Sequence, residues 1–179
     1  MRVAVFLAAL SFPLVAAAVD TAGFERMQMS QWADVLHDSR VAYDAKRYDE
    51  AFGLFQRAAC AGDKESQSAV GRMYLLGQGT ARDDLTGYAW LSVAAESHFG
   101  NFQTIVHTLR DAMTPEQRTL ADARAQRMGA LYGLAATGMS CTARASRGGH
   151  IIDQLLCMPQ REGALVVLHR CEQPVPAAH

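Results

Sequence analysis

No stretch of this sequence stays apolar for the roughly 20 residues that a membrane-spanning helix requires. The mature chain is therefore expected to be soluble and without an integral membrane span. There is no basic excess, since 17 Lys and Arg face 18 Asp and Glu. Without a basic stripe, nucleic acid is disfavoured as a ligand, and no polybasic patch points to an anionic membrane surface. The usual catalytic signatures are missing too: His-Glu-x-x-His, Gly-x-Ser-x-Gly and the Ser-x-x-Lys of penicillin-recognising enzymes. No Cys-x-x-Cys or His-x-x-x-His spacing suggests a metal site. No catalytic residue, cofactor or metal is expected on these grounds.

The first residues read as an export signal. Met1 and Arg2 give a short positive start, residues 3–14 are apolar apart from Ser11 and Pro13, and Ala16, Ala17 and Ala18 supply a small-residue cleavage pattern. Cleavage is expected after Ala18. No cysteine at that point offers a lipid anchor and no twin arginine is present. In a bacterium the mature chain is then periplasmic or secreted. Removal of Arg2 leaves it one unit more negative than the formal −1 of the full chain.

From about residue 30 to 128 the apolar residues recur at helical spacing, with little strand-like alternation. The pattern predicts six helices over about 31–46, 49–61, 63–77, 84–96, 101–112 and 114–132. Ser30 and Asp63 are read as N-caps. Thr114-Pro115-Glu116-Gln117 has Thr at the cap, Pro at the first position and Gln as a capping-box partner. With the chain laid on itself at an offset of 36, Leu54 falls on Trp90, Phe55 on Leu91, Ala58 on Ala94 and Ala59 on Ala95. A period in that range marks stacked helical hairpins, each covering its neighbour's apolar side.

Val70-Gly71-Arg72-Met73-Tyr74-Leu75-Leu76-Gly77-Gln78-Gly79, followed by Asp83, Trp90 and Ala94-Ala95, resembles the Sel-type repeat, a relative of the tetratricopeptide repeat. Gly87 stands where that family usually has Ala. Residues 43–63 match more loosely, and 101–132 have the helix lengths without the motif, as a terminal capping hairpin would. Gly71 is expected at a close helix crossing, and Gly77 and Gly79 at positions that re-aim the chain. Gly77-x-Gly79 is no phosphate loop, because no strand precedes it. The fold class expected is all-α: a short α/α solenoid of about three helical hairpins, with a small disulfide-linked β-hairpin or irregular C-terminal appendage. The domains are expected as signal peptide 1–18, repeat domain 19–138 and cysteine-containing tail 139–179. The resemblance implies an adaptor for other proteins, with some bacterial members linked to the cell envelope.

After about Gly138 the character changes. Residues 141–149 contain a turn signal, while 151–157 and 164–171 are short β-prone runs that residues 159–163 would join as a hairpin loop. Three of the four cysteines, Cys141, Cys157 and Cys171, lie here. In an exported chain they read as disulfides. A bond within the tail is expected. Cys60 either pairs with Cys171, pinning the tail to the helices, or stays as the buried odd one. A zinc site from His150, Cys157, His169 and Cys171 is the weaker alternative. Ser146, His150 and Asp153 hold the elements of a triad but sit too close together along one segment, so they read as polar residues around a turn.

Two functions compete. The first is an exported interaction scaffold, a monomer or weak oligomer, that holds another protein or peptide of the cell envelope in the groove of its repeats. The first helix of each hairpin would line that groove, with Arg40, Lys64, Gln67, Arg72, Tyr74, Gln103 and His107 as candidate contacts. The second is an envelope enzyme or enzyme modulator with a small pocket where helices meet tail, gathering His150 or His169 beside an acid. Small cysteine-rich relatives of the repeat family bind penicillin-like molecules, but this chain lacks their one disulfide per repeat. A third expectation gives the tail an unpaired strand edge at 165–168 to donate to a partner's sheet.

Overall fold

A computed structural model describes residues 23–145 and 152–171. The predicted signal segment and cleavage site, Ser146 and His150 of the triad elements, and residues 172–179 fall outside the described residues.

Among the described residues six longer helices follow one another, α1 (Met29–Asp44), α2 (Tyr48–Cys60), α3 (Lys64–Leu76), α4 (Asp84–Ala94), α5 (Phe102–Asp111) and α6 (Pro115–Tyr132), and a four-residue helix, α7 (Leu134–Thr137), comes after them. Their starts follow local chemistry. Asp63 accepts from the Ser66 amide at 2.8 Å, and Asp83 does the same for Thr86 at 3.0 Å. At α6 the Thr114 and Gln117 side chains cap each other's amides, at 3.3 and 2.9 Å. Each of these bonds satisfies an amide that the helix itself leaves unpaired. α1 departs from expectation. It begins one residue before Ser30, with Gln28 at the cap and the Gln31 side chain accepting from the Gln28 amide at 2.8 Å. Gly77 ends α3 in the left-handed conformation, at φ 64°.

Consecutive helices pack as antiparallel pairs, α1 on α2 and α3 on α4, and α2 on α3 joins the pairs. α5 and α6 both rest chiefly on α4, so the last pair closes the stack by covering α4 more than by covering each other. The first core gathers Ala42, Ala51, Phe55, Val70, Met73 and Trp90, with Tyr132 of α6 stacked on Trp90 at 5.3 Å. The Gly71 crossing has the expected cause. A Cβ on Gly71 would lie 2.9 Å from the Gly87 carbonyl, and a Cβ on Gly87 would lie 2.9 Å from the Gly71 carbonyl. Gly87 is thus half of a reciprocal close approach.

The strands differ from the sequence reading. β1 (Phe24–Gln28), β2 (Ser140–Ala145), β3 (Ile152–Met158), β4 (Gln160–Glu162) and β5 (Leu165–His169) make two small sheets. β3 and β5, read as partners, do not pair. β3 pairs antiparallel with β2, in the segment taken for a turn, placing Cys141 opposite Cys157. β5 lies between β4 and β1 in the order β1-β5-β4. β1 precedes the helices and was not foreseen as a strand. Because β5 is bonded on both sides, Phe24↔His169 through Gln28↔Leu165 on one and Gln160↔Val167 through Glu162↔Leu165 on the other, the expected free edge at 165–168 does not exist.

Both disulfides are formed: Cys141–Cys157 within the β2–β3 sheet, and Cys60–Cys171 from the end of α2 to the residues after β5. Cys60 is therefore the pin and not the odd one. The zinc alternative fails because Cys157 and Cys171 are oxidised. A second core joins the two ends of the chain, with Met27 of β1, Trp32 and Val35 of α1, Ala58 of α2, and Val166 and Leu168 of β5. Val166 and Leu168 alternate inward along β5, the period that buries one face of a sheet. The strands from both ends thus share a core with the first hairpin.

Candidate functional site

The seven residues expected to line a groove separate into four groups. Arg40, on α1, reaches Glu65 of α3 at 3.4 Å, and the exposed Arg72 lies two turns further along α3. These three, with Tyr43, Phe55 and Ala69 beneath, form an inner face with a dimple of about 50 Å³ lined by Tyr43, Phe55, Ala69 and Arg72. Burial and the neighbouring Asp63 push the Glu65 carboxyl up, while Arg40 and Arg72 pull it back and the Leu155 backbone of β3 bonds to it. Gln103 and His107 are exposed on α5, with Gln103 bonded to His98 at 2.7 Å. Tyr74 packs its ring edge-on against Phe52 at 5.3 Å. Its phenol is pushed up by burial and by Asp83, so it belongs to the α2–α3 contact.

Lys64 and Gln67 correct the expectation outright, because neither side chain has any exposed surface. Lys64 Nζ donates to Gln67 Oε1 at 3.0 Å, to the Val93 carbonyl at 3.0 Å and to Glu96 Oε2 at 2.8 Å. Gln67 Nε2 donates to the carbonyls of Ala59 at 2.9 Å and Tyr132 at 2.8 Å. Glu96 Oε2 also takes the Leu134 amide at 3.0 Å. All three ammonium protons have acceptors, as a buried charge requires. Burial still holds the Lys64 pKa below its usual value, with Glu96 and Asp63 opposing. The network ties the ends of α2, α4 and α6 to the start of α3, and its Lys64 and Gln67 side chains are out of a partner's reach.

A concavity that sequence reasoning missed lies where α3 and α5 end and α4 and α6 begin. Its volume is about 390 Å³, and Leu75, Leu85, Leu109, Ala112 and Met113 make its apolar lining. The rim is charged but internally neutralised. Arg82 grips Asp84 through two bonds, at 2.8 and 3.1 Å, and holds that carboxyl below its usual range. Arg124 Nη1 donates to Asp83 Oδ2 at 2.9 Å and to Thr86 Oγ1 at 2.6 Å. Burial opposes ionisation of Asp83, but the Thr86 hydroxyl and amide and Arg124 outweigh it and keep the carboxyl low. Behind the rim, Asp122 accepts from Arg110 Nη2 at 2.8 Å and from the Tyr88 hydroxyl at 3.0 Å. A cleft of this kind gives an occupant apolar contact and no net charge. Its signal in the sequence was slight: Leu85, Leu109 and Met113 are apolar residues beside loops, outside the motif positions.

The helix–tail junction also holds a depression, of about 270 Å³, lined by residues that include Glu25, Arg57 and His169. Glu25 is held by two bonds from Arg57. His169 places its Nδ1 3.0 Å from the Arg170 carbonyl, and its ring meets Phe24 and Tyr132 edge-on. The acid is thus committed to an ion pair, and Cys171, the one sulfur in the lining, is oxidised. Among the described residues no cluster of His, Cys, Asp and Glu could hold a metal ion, and no helix is long and apolar enough to cross a membrane.

No protein-family model and no curated protein matches the chain. Among solved structures, the chain is similar to a protective antigen present in uropathogenic Escherichia coli strains and displaying an SLR fold, with 24% sequence identity and a TM-score of 0.46. The match covers 51% of this chain and spans about a fifth of the antigen, 20% of its length.

Proposed function

We propose that the protein is an exported scaffold that holds a partner protein of the cell envelope by taking an apolar side chain of that partner into the cleft between the α3–α4 and α5–α6 connections. The cleft's composition carries the reading. Five apolar residues are open to an occupant, while the charged groups around them already satisfy one another. Binding anchors are typically side chains seated in desolvated pockets inside a polar rim. Burial of one Leu- or Met-sized group is worth about 1.5–3 kcal/mol, or roughly tenfold to a hundredfold in affinity. The two disulfides support export, since such bonds persist in oxidising compartments.

The test is affinity capture from the native envelope with wild-type protein and with Leu109→Asp, after circular dichroism has shown that the variant keeps its helices. The expected result is a partner held by wild type and weakened at least tenfold by the substitution. Equal capture by both proteins would overturn the cleft. A parallel variant, Arg40→Glu with Arg72→Glu, should retain the partner. Loss there alone would move the contact to the inner face between α1 and α3.

A further inference from the structure

The order of the cysteines along the chain leads to a second partner, of a different kind. The disulfides are nested: the first cysteine pairs with the last, Cys60–Cys171, and the middle two pair with each other, Cys141–Cys157. We infer that this protein is a client of a dithiol enzyme that catalyses thiol–disulfide isomerisation, and that its native pairing is reached by exchange from mispaired chains.

Loop closure supplies the first argument. The native bonds close separations of 111 and 16 residues. Pairing consecutive cysteines instead, Cys60 with Cys141 and Cys157 with Cys171, closes separations of 81 and 14. With closure probability falling as the three-halves power of loop length, and the inner native bond shortening the outer loop to about 95, the consecutive pairing forms roughly one and a half times as often as the native one from an unstructured chain. Of the three complete pairings that four cysteines allow, the native one captures about one chain in three on this weighting. Order of emergence works in the same direction. A chain exported from its N-terminus presents Cys141 to Cys60 before Cys171 arrives, a step that rests on the export reading, whereas the loop comparison holds in any compartment.

Packing supplies the second argument. Cys60 is 1% exposed and Cys157 is 4% exposed in the folded protein. A Cys157–Cys171 bond would hold Cys171 beside β3 and away from the end of α2. Val166 and Leu168 could not then settle on Trp32 and Ala58. Mispaired chains therefore lack the second core and leave their disulfides open to attack.

The exchange balances without an oxidant. A catalyst thiolate attacks Cys141 Sγ in the Cys60–Cys141 bond, forming a mixed disulfide and releasing Cys60 as thiolate. Cys60 attacks Cys171 Sγ in the Cys157–Cys171 bond, forming Cys60–Cys171 and releasing Cys157. Cys157 then attacks Cys141 Sγ in the mixed disulfide, forming Cys141–Cys157 and returning the catalyst thiolate. Two disulfides enter and two leave, which is the chemistry of thiol–disulfide exchange.

Reduced, unfolded full-length mature protein should be reoxidised in glutathione disulfide, with and without a protein disulfide isomerase, and mapped by non-reducing peptide mass analysis over time. The expected result is early accumulation of the Cys60–Cys141 and Cys157–Cys171 peptides, followed by conversion to the native pair that the isomerase speeds several-fold. The variant Cys141→Ser with Cys157→Ser should reach Cys60–Cys171 without any mispaired intermediate, with or without the isomerase. Direct appearance of the native pair in wild type, or mispaired chains that convert equally fast without the enzyme, would overturn the inference. The wild-type time course decides it alone should the variant fail to fold.

Discussion

Gly71 and Gly53 are both helical glycines, and the structure gives them opposite prospects. A Cβ on Gly71 would sit 2.7 Å from Leu91 Cγ and 3.1 Å from the Leu91 amide, with the Gly87 carbonyl also in the way. Nothing lies within 4 Å of a Cβ on Gly53. Ala is worth up to about 1 kcal/mol over Gly in a helix, while overpacking costs about 1–3 kcal/mol. Gly71→Ala should therefore destabilise by roughly 1–2 kcal/mol net, and Gly53→Ala should stabilise by about 0.5–1 kcal/mol, both measured by denaturant unfolding. Stabilisation by both would remove the close crossing from the explanation. Gly71 was legible in the sequence because the repeat spacing marks it. Lys64 was read wrongly, yet it carried a faint signal. It is the first residue of α3, and a cation is disfavoured at the positive end of a helix. A residue that breaks a local rule often answers to tertiary structure, here to Glu96, which lies 32 residues further along.

Among elements, the helices were readable and the strand pairings were not. Helix caps and faces are set by residues three or four apart, as at Thr114 and Gln117. β5 looked strand-like because Val166 and Leu168 alternate with their neighbours, but its partner β1 lies at the other end of the chain, and no local pattern names a partner so remote. β2 was hidden because five of its six side chains are exposed and the apolar residues that alternate along it, Cys141, Ala143 and Ala145, are too small to mark a strand face. The cleft escaped for a related reason, being made by four helix ends that meet only in space. The polar network that joins helix ends makes its own prediction. Glu96→Ala leaves the Lys64 ammonium buried without its carboxylate. Breaking a buried pair costs about 3–5 kcal/mol, and Glu96 is 39% exposed, so a loss of roughly 2–3 kcal/mol is expected in denaturant unfolding. Glu96→Gln, which keeps an acceptor, should lose less. Equal small losses for both would mean that the ion pair contributes nothing to the stack.

For the whole molecule, acid is a more informative perturbation than base. Arg110 bonded to Asp122, with Tyr88 and Arg118 adding to it, holds the Asp122 carboxyl below its usual value of 3.8. Asp84 is lowered by Arg82, and Asp83 by Thr86 and Arg124 acting against its burial. A carboxyl whose folded pKa is depressed contributes stability that is complete above its unfolded pKa and is lost as pH falls through the lower folded value. Asp63 and Glu65, both raised first by burial, act in the opposite sense. The melting temperature should therefore decline below about pH 3.8, and Asp122→Asn, which removes one depressed group, should show a shallower decline. Parallel curves for the variant and wild type would assign the acid sensitivity elsewhere.

Cys60–Cys171 also determines how the molecule would answer to tension. A pull applied beyond Cys171 enters α2 directly through the sulfurs, so the backbone of the intervening stretch, a sequence separation of 111, is bypassed and is not drawn out along its length. The opposing pull enters at Phe24, the outermost pair of the β1–β5 ladder. Force would unzip that ladder one rung at a time from Phe24–His169 and then strain α1 against α2, while α3 to α6, with the cleft between them, stay slack.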